Sequence, residues 1–119
     1  MSFVNPILHT DSGNTSSFGT PTPVAAPLGE VVALTRMAQL QHSTDQKVST
    51  GLWECTPGVW RRQVLKQEFS HIVKGQGVFT PDGGAPVPFT AGDALYFPAN
   101  TQGTWHIEKT VRKTFVIFE

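Results

Sequence analysis

From residue 51 to the C-terminus, short apolar runs alternate with turn-forming residues. The runs are GLWECT, VWRRQVLKQEFSHIVKG, GVFT, PVPFT, DALYFP, TWHIEK and KTFVIFE, broken by TPG, KGQG, TPDGGAP, TAGD and PANTQG. Short runs spaced roughly 8 to 12 residues apart, with Gly, Pro, Asp and Asn between them, predict the strands of a β-sandwich or barrel. Pro81-Asp82-Gly83-Gly84 is the strongest turn signal, because Asp-Gly readily takes the left-handed conformations that a tight hairpin needs. Upstream, VVALTRMAQL mixes helix formers with β-branched residues and is read as a strand leading into a loop at HSTDQKVST. Between Asn5 and Gly29 there are four prolines and three glycines among many Ser and Thr, which cannot sustain a helix and offer little to bury. The expected organisation is an irregular N-terminal arm over residues 1–30 and one domain over 31–119. The arm is read equally as a loose tail or as a strap across a neighbouring subunit.

Composition narrows the class. The 119 residues suit a single domain, and 11 Gly with 9 Pro argue against long helices. Nine Lys and Arg balance nine Asp and Glu, so no net field attracts a polyanion, and nucleic acid is not an expected partner. The single cysteine, Cys55, has no partner for a disulfide within the chain and is read as a small core hydrophobe. No stretch reaches about 18 apolar residues, and MSFVNPILH lacks the basic start and apolar run of a secretory signal. A cytoplasmic protein with no membrane partner is expected.

Gly58, Glu68, Gly75, Gly92, Pro98 and Trp105 are spaced in a recognisable way. Six residues separate Glu68 from Gly75 in EFSHIVKG, and five separate Gly92 from Pro98 in GDALYFPAN. With WECTPG upstream and VRKTFVIF downstream, residues 45–118 resemble the small single-domain cupins, in the branch of ureidoglycine aminohydrolase-like and ethanolamine-utilisation proteins. The resemblance implies an all-β fold, a cupin double-stranded β-helix or jelly-roll barrel, behind the irregular arm. It also implies a homodimer, which would cover exposed sheet edges.

Many cupins hold a divalent cation with an HxH pair, the first motif's Glu and a His of the second motif. Carried onto this chain, the pair falls on Arg62 and Val64, or on Arg61 and Gln63, and the last position on Gly103 beside Gln102. Of the four positions only Glu68 carries a metal-binding side chain, whereas a catalytic site needs about three protein ligands. No cofactor is therefore expected. The alternative is a site for a divalent metal such as Mn, Zn, Fe or Ni, rescued by Glu68, Gln63 and Gln102, in a hydrolase acting on a nitrogenous metabolite like ureidoglycine aminohydrolase.

Period-two counting from Glu68 puts Ser70 and Ile72 on its face and Phe69, His71 and Val73 on the other. His9 and His42 are read as solvated, His71 as facing away from the barrel, and His106 as offset from an inward Trp105. A carboxylate inside a barrel needs a partner or carries a raised pKa. The candidates for Glu68 are Arg62, Arg61 and Lys66, while Arg112 and Lys113 are read as surface ion pairs. The leading expectation is a cupin that binds a small molecule of unassigned identity. Glu68 would be its polar centre and candidate general acid or base, Arg62 or Gln63 a second polar contact, and Phe97 and Trp105 its apolar walls. By the resemblance Trp105 stands at the pocket mouth, and whether the pocket is also catalytic stays open.

Overall fold

Alternating apolar and polar residues, punctuated by Gly and Pro, produce a fold in which strand is the only extended regular structure among the described residues. The computed structural model describes residues 6–10 and 17–119. The expected arm therefore lies partly, at 1–5 and 11–16, outside the described residues. Nine strands follow: β1 (Thr22–Pro23), β2 (Pro27–Leu28), β3 (Leu34–His42), β4 (Val48–Cys55), β5 (Gly58–Val64), β6 (Glu68–Pro81), β7 (Val87–Thr90), β8 (Ala94–Phe97) and β9 (Thr101–Phe118). Among the described residues there is no α-helix, so none is long and apolar enough to cross a membrane.

The long last strand organises the rest. One edge of β9 pairs with β5 through its first half, from Val64↔Thr101 to Gly58↔Ile107, and with β4 through its second, from Cys55↔Val111 to Val48↔Phe118. Its other edge carries β6, from Pro81↔Gly103 to Glu68↔Ile117. On its far side β6 pairs with β8 over Glu68–His71 and with β7 over Gln76–Phe79. All pairs are antiparallel, and the sheet curls into an all-β half-barrel. The described part of the arm adds two short edge strands, β1 on β3 and β2 on β5.

Several predicted breaks fall elsewhere. The segment KGQG, read as a turn, lies inside β6 as a β-bulge, where the register against β9 shifts between Ile72 and Gly77. The bulge reverses which parity faces inward: Glu68, Ser70 and Ile72 are buried before it, Gly77 and Phe79 after it. Gly75, at φ 93°, is its pivot. A Cβ there would run into the Thr110 carbonyl oxygen on the neighbouring strand, so backbone conformation and close approach both require glycine. VWRRQVLKQEFSHIVKG, read as one run, is two strands joined by a turn at 65–67, and TWHIEK and KTFVIFE belong to one strand, β9. At 81–84 the predicted turn closes through Gly84 N–H donating to Pro81 O at 3.0 Å. Pairing with β7 resumes only at Phe79↔Val87, which makes the hairpin loop longer than two residues.

Aromatic side chains fill the interior. Trp105 is fully buried, with ring centroids of Phe79, Phe89, Phe97 and Trp53 between 5.0 and 6.1 Å away, mostly edge to face. Cys55 is buried beside them, as expected of a small hydrophobe, and burial pushes its thiol up to about 12.

The two glycines Gly75 and Gly83 separate conformation from contact. Both have positive φ, but a Cβ at Gly83 meets open space. Gly83→Ala is expected to cost about 1–2 kcal/mol, the left-handed penalty alone, and Gly75→Ala distinctly more. Urea unfolding of the two variants checks this; equal losses would contradict the close approach at the bulge.

Candidate functional site

At one end of the barrel, β4, β5, β6 and β9 bring a cluster of charges inside. Glu68 opens β6 and is 3% exposed, on the same inward face as Ser70. Its Oε1 accepts from Arg62 Nη2 at 3.1 Å, across the turn joining β5 to β6. Its Oε2 accepts from Ser70 Oγ at 2.8 Å and from Lys113 Nζ at 2.7 Å. Lys113 lies on β9, opposite Trp53 on one side and Ile72 on the other. Its ammonium sits 4.7, 5.6 and 5.7 Å from the ring centroids of Trp53, Trp105 and Phe97. At such distances the negative ring faces stabilise a cation that has lost its water.

The cluster therefore contains two cations and one carboxylate. Burial alone would raise the pKa of Glu68, but Lys113 and Arg62 beside it outweigh burial and hold it below the usual carboxylate range. Lys113 is shifted down to about 8, because burial penalises its charge and Glu68 restores only part of the loss. Arg62 Nε is buried without a hydrogen-bond partner among the described residues. A cavity of about 70 Å³ opens against this group, walled by Arg62, Glu68, Lys113, Trp53, Phe115 and Met37. That is room for roughly five water-sized positions, well below the size of a drug-binding pocket. Met37 is 44% exposed, so the cavity reaches the surface.

Of the residues singled out in the sequence, the structure gathers Arg62 and Glu68 at hydrogen-bonding distance, with Phe97 and Trp105 behind Lys113. Trp105 is deep in the core, and the indole against the cavity is that of Trp53. Gln63 is exposed on the opposite face of β5, in register with the exposed Gln102, and neither joins the cluster. The other candidate partners of Glu68 are engaged elsewhere: Arg61 with Asp82 at 2.6 Å, and Lys66 with Glu119. His71 and His106 are exposed, as parity required. His42 ends β3 rather than lying in a loop, and its Nδ1 is 2.9 Å from Ser49 Oγ; His9 Nε2 is 2.7 Å from Thr50 Oγ1.

Arg112 and Lys113 require a correction: both are buried, not surface ion pairs. Lys113 is in phase with Val111, Phe115 and Ile117, and that alternation was the signal available in the sequence. Arg112 points to the other face, where its Nη2 lies 2.6 Å from Glu54 Oε2 while Arg36 holds Oε1 at 2.7 Å. Phe18 of the arm stacks on both guanidinium groups, at 4.6 and 4.8 Å.

A divalent cation does not fit the residues present. Among the described residues no three His, Cys, Asp or Glu side chains converge. The one carboxylate at a family ligand position already accepts from an ammonium, a guanidinium and a hydroxyl. A metal ion beside it would face two positive charges.

Removing one charge of a buried pair should cost about 3–5 kcal/mol, and removing both far less. Glu68→Gln and Lys113→Met are each expected to fall in that range in urea unfolding, with the double variant recovering most of the loss. Additive losses would contradict the pairing. Because folding lowers the pKa of Glu68, its carboxylate contributes stability above the ordinary range, which is lost as pH falls below it. Thermal unfolding of Glu68→Gln should accordingly be less sensitive to acid than that of the parent.

A family model described as an EutQ-like cupin domain matches residues 42–115. No curated protein matches the chain. Solved structures resemble it in fold. A Pseudomonas syringae pv. tomato protein of unknown function superposes with a TM-score of 0.69 at 19% identity, over 83% of this chain and 44% of its own. This chain thus spans less than half of that protein's length. Clostridium difficile EutQ gives 0.60 at 15% identity, over 92% of this chain and 75% of its own. Ectoine synthase from P. lautus gives 0.60 at 14% identity, over 78% and 68%.

Proposed function

The chain belongs to the family of EutQ-like cupin domains, and on that footing we propose that it binds a small anion in the cavity beside Arg62, Glu68 and Lys113. The observation that carries this reading is the charge of the cavity wall. Two cations face one carboxylate, which leaves about one positive charge uncompensated, and one guanidinium N–H of Arg62 has no acceptor among the described residues. Buried donors without acceptors are costly, and a small carboxylate would supply the missing acceptor. Trp53 closes the apolar side, with Phe97 and Trp105 backing Lys113. The sum of charges disfavours a cationic ligand, and the cavity has room for roughly five non-hydrogen atoms. The metal-dependent hydrolase alternative lacks donors at this site, and Gln63 has no part in the binding proposed.

Trp53 borders the cavity and reports occupancy. Acetate is expected to change tryptophan fluorescence saturably, with Arg62→Gln weakening binding about tenfold, the loss of one charged hydrogen bond, and methylammonium giving no saturable change. No saturable response to any small anion would contradict the proposal. So would stoichiometric Mn, Zn, Fe or Ni in the purified protein that disappears in Glu68→Ala.

The homodimer implied by the family is also part of this proposal. Phe69 and Tyr96, in register on β6 and β8, are 45% and 52% exposed and form an apolar outer face that a second copy would cover. Light scattering should give twice the chain mass for the parent and a lower mass for Phe69→Glu; a monomeric parent would rule the dimer out.

A further inference from the structure

Anion binding draws on the charge of Lys113 and leaves its amine chemistry unused. Arg62 alone, mostly buried at the cavity wall, would attract a carboxylate without the cost of burying an ammonium among aromatic rings. A buried primary amine that borders a cavity, with a carboxylate 2.7 Å from its nitrogen, has the parts needed for carbonyl chemistry. We propose that Lys113 captures a small 2-oxo carboxylate as an imine, with Arg62 holding the ligand's carboxylate and Glu68 moving the protons.

The step balances without any further reactant. The Lys113 ammonium gives a proton to Glu68, and the free amine's lone pair forms a bond to the carbonyl carbon. The carbonyl oxygen takes up the released proton and a second one from nitrogen, and the C–O bond breaks to release water. The product is a protonated imine carrying the single positive charge with which the ammonium began, so Glu68 ends the step, as it started, a carboxylate with a cation beside it. The local electrostatics suit this sequence: with Lys113 down to about 8, roughly a tenth of it is free amine at neutral pH. Cys55, the nearby thiol, is pushed up to about 12 and stays protonated, so it does not compete as a nucleophile. Glyoxylate, with five non-hydrogen atoms, matches the cavity's capacity.

The proposal deepens the reading of the cavity as an anion site and rests on it. Its test is to incubate the purified chain with glyoxylate and cyanoborohydride, digest it, and locate carboxymethyl-lysine by peptide mapping. The exposed lysines Lys47, Lys66, Lys74 and Lys109 serve as internal controls. Lys113 is expected to be modified at least tenfold faster than any of them despite its burial, and excess acetate should protect it. Lys113→Arg keeps the charge and should leave only the slow background. Equal labelling of the surface lysines, or an unmodified Lys113, overturns the proposal, and the parent chain alone decides this if the variant does not fold. Tryptophan fluorescence on the same samples separates the two levels. Saturable glyoxylate binding without an adduct defeats imine formation only, whereas no binding and no adduct defeats the anion site as well.

Discussion

A carboxylate placed inside an apolar barrel costs several kcal/mol unless charge and hydrogen bonds answer it, and Glu68 is answered from three strands at once. Ser70 lies on its own strand, Arg62 across the turn from β5, and Lys113 on β9, which also carries most of the sheet pairing. The register of β6 on β9 therefore decides whether the cluster exists. A slip of β6 by one residue would turn Glu68 outward while Lys113 stayed inside, and leave neither with its partner. The bulge around Gly75 accommodates a change of parity in β6, so that Glu68 before it and Phe79 after it both face inward.

Period-two alternation also sorts the charges on neighbouring positions. Trp53 and Lys113 face the interior, while Glu54 and Arg112, adjacent in sequence and paired in the same ladder, face the other side. Two ion clusters result, back to back through the sheet. The outer one, Arg36–Glu54–Arg112, is capped by Phe18 and ties the arm to the domain. The inner one borders a cavity. The outer cluster carries the same two-to-one ratio of cations to carboxylate, but an aromatic ring lies over both of its guanidinium groups, whereas the inner cluster opens on space for a ligand.

Much of this was legible in the chain. Alternation gave the strands and the inward face of Glu68, and Arg62 stood among its candidate partners. The choice among Arg62, Arg61 and Lys66 was not legible, because Asp82 and Glu119, which engage the other two, lie on remote segments brought near only by folding. Lys113 was missed for a similar reason. It lies 45 residues from Glu68, and a Lys after an Arg near the end of a chain reads as solvated unless its phase with Val111 and Phe115 is given more weight than its charge. Trp105 was expected at a pocket mouth. The clustering of Phe79, Phe89 and Phe97 around it, which long-range pairing creates, makes it core instead, and leaves Trp53 against the cavity.

At the heart of the structure an ammonium lies buried under aromatic rings with Glu68 as its counter-ion. Titration of the lysine side chains by ¹³C NMR at Cε addresses it directly. One of the five lysine signals, identified as that of Lys113 by its loss in Lys113→Met, should show upfield ring-current shifts and titrate at about 8. A Lys113 signal that titrates near 10.5, without a ring-current shift, would contradict this burial.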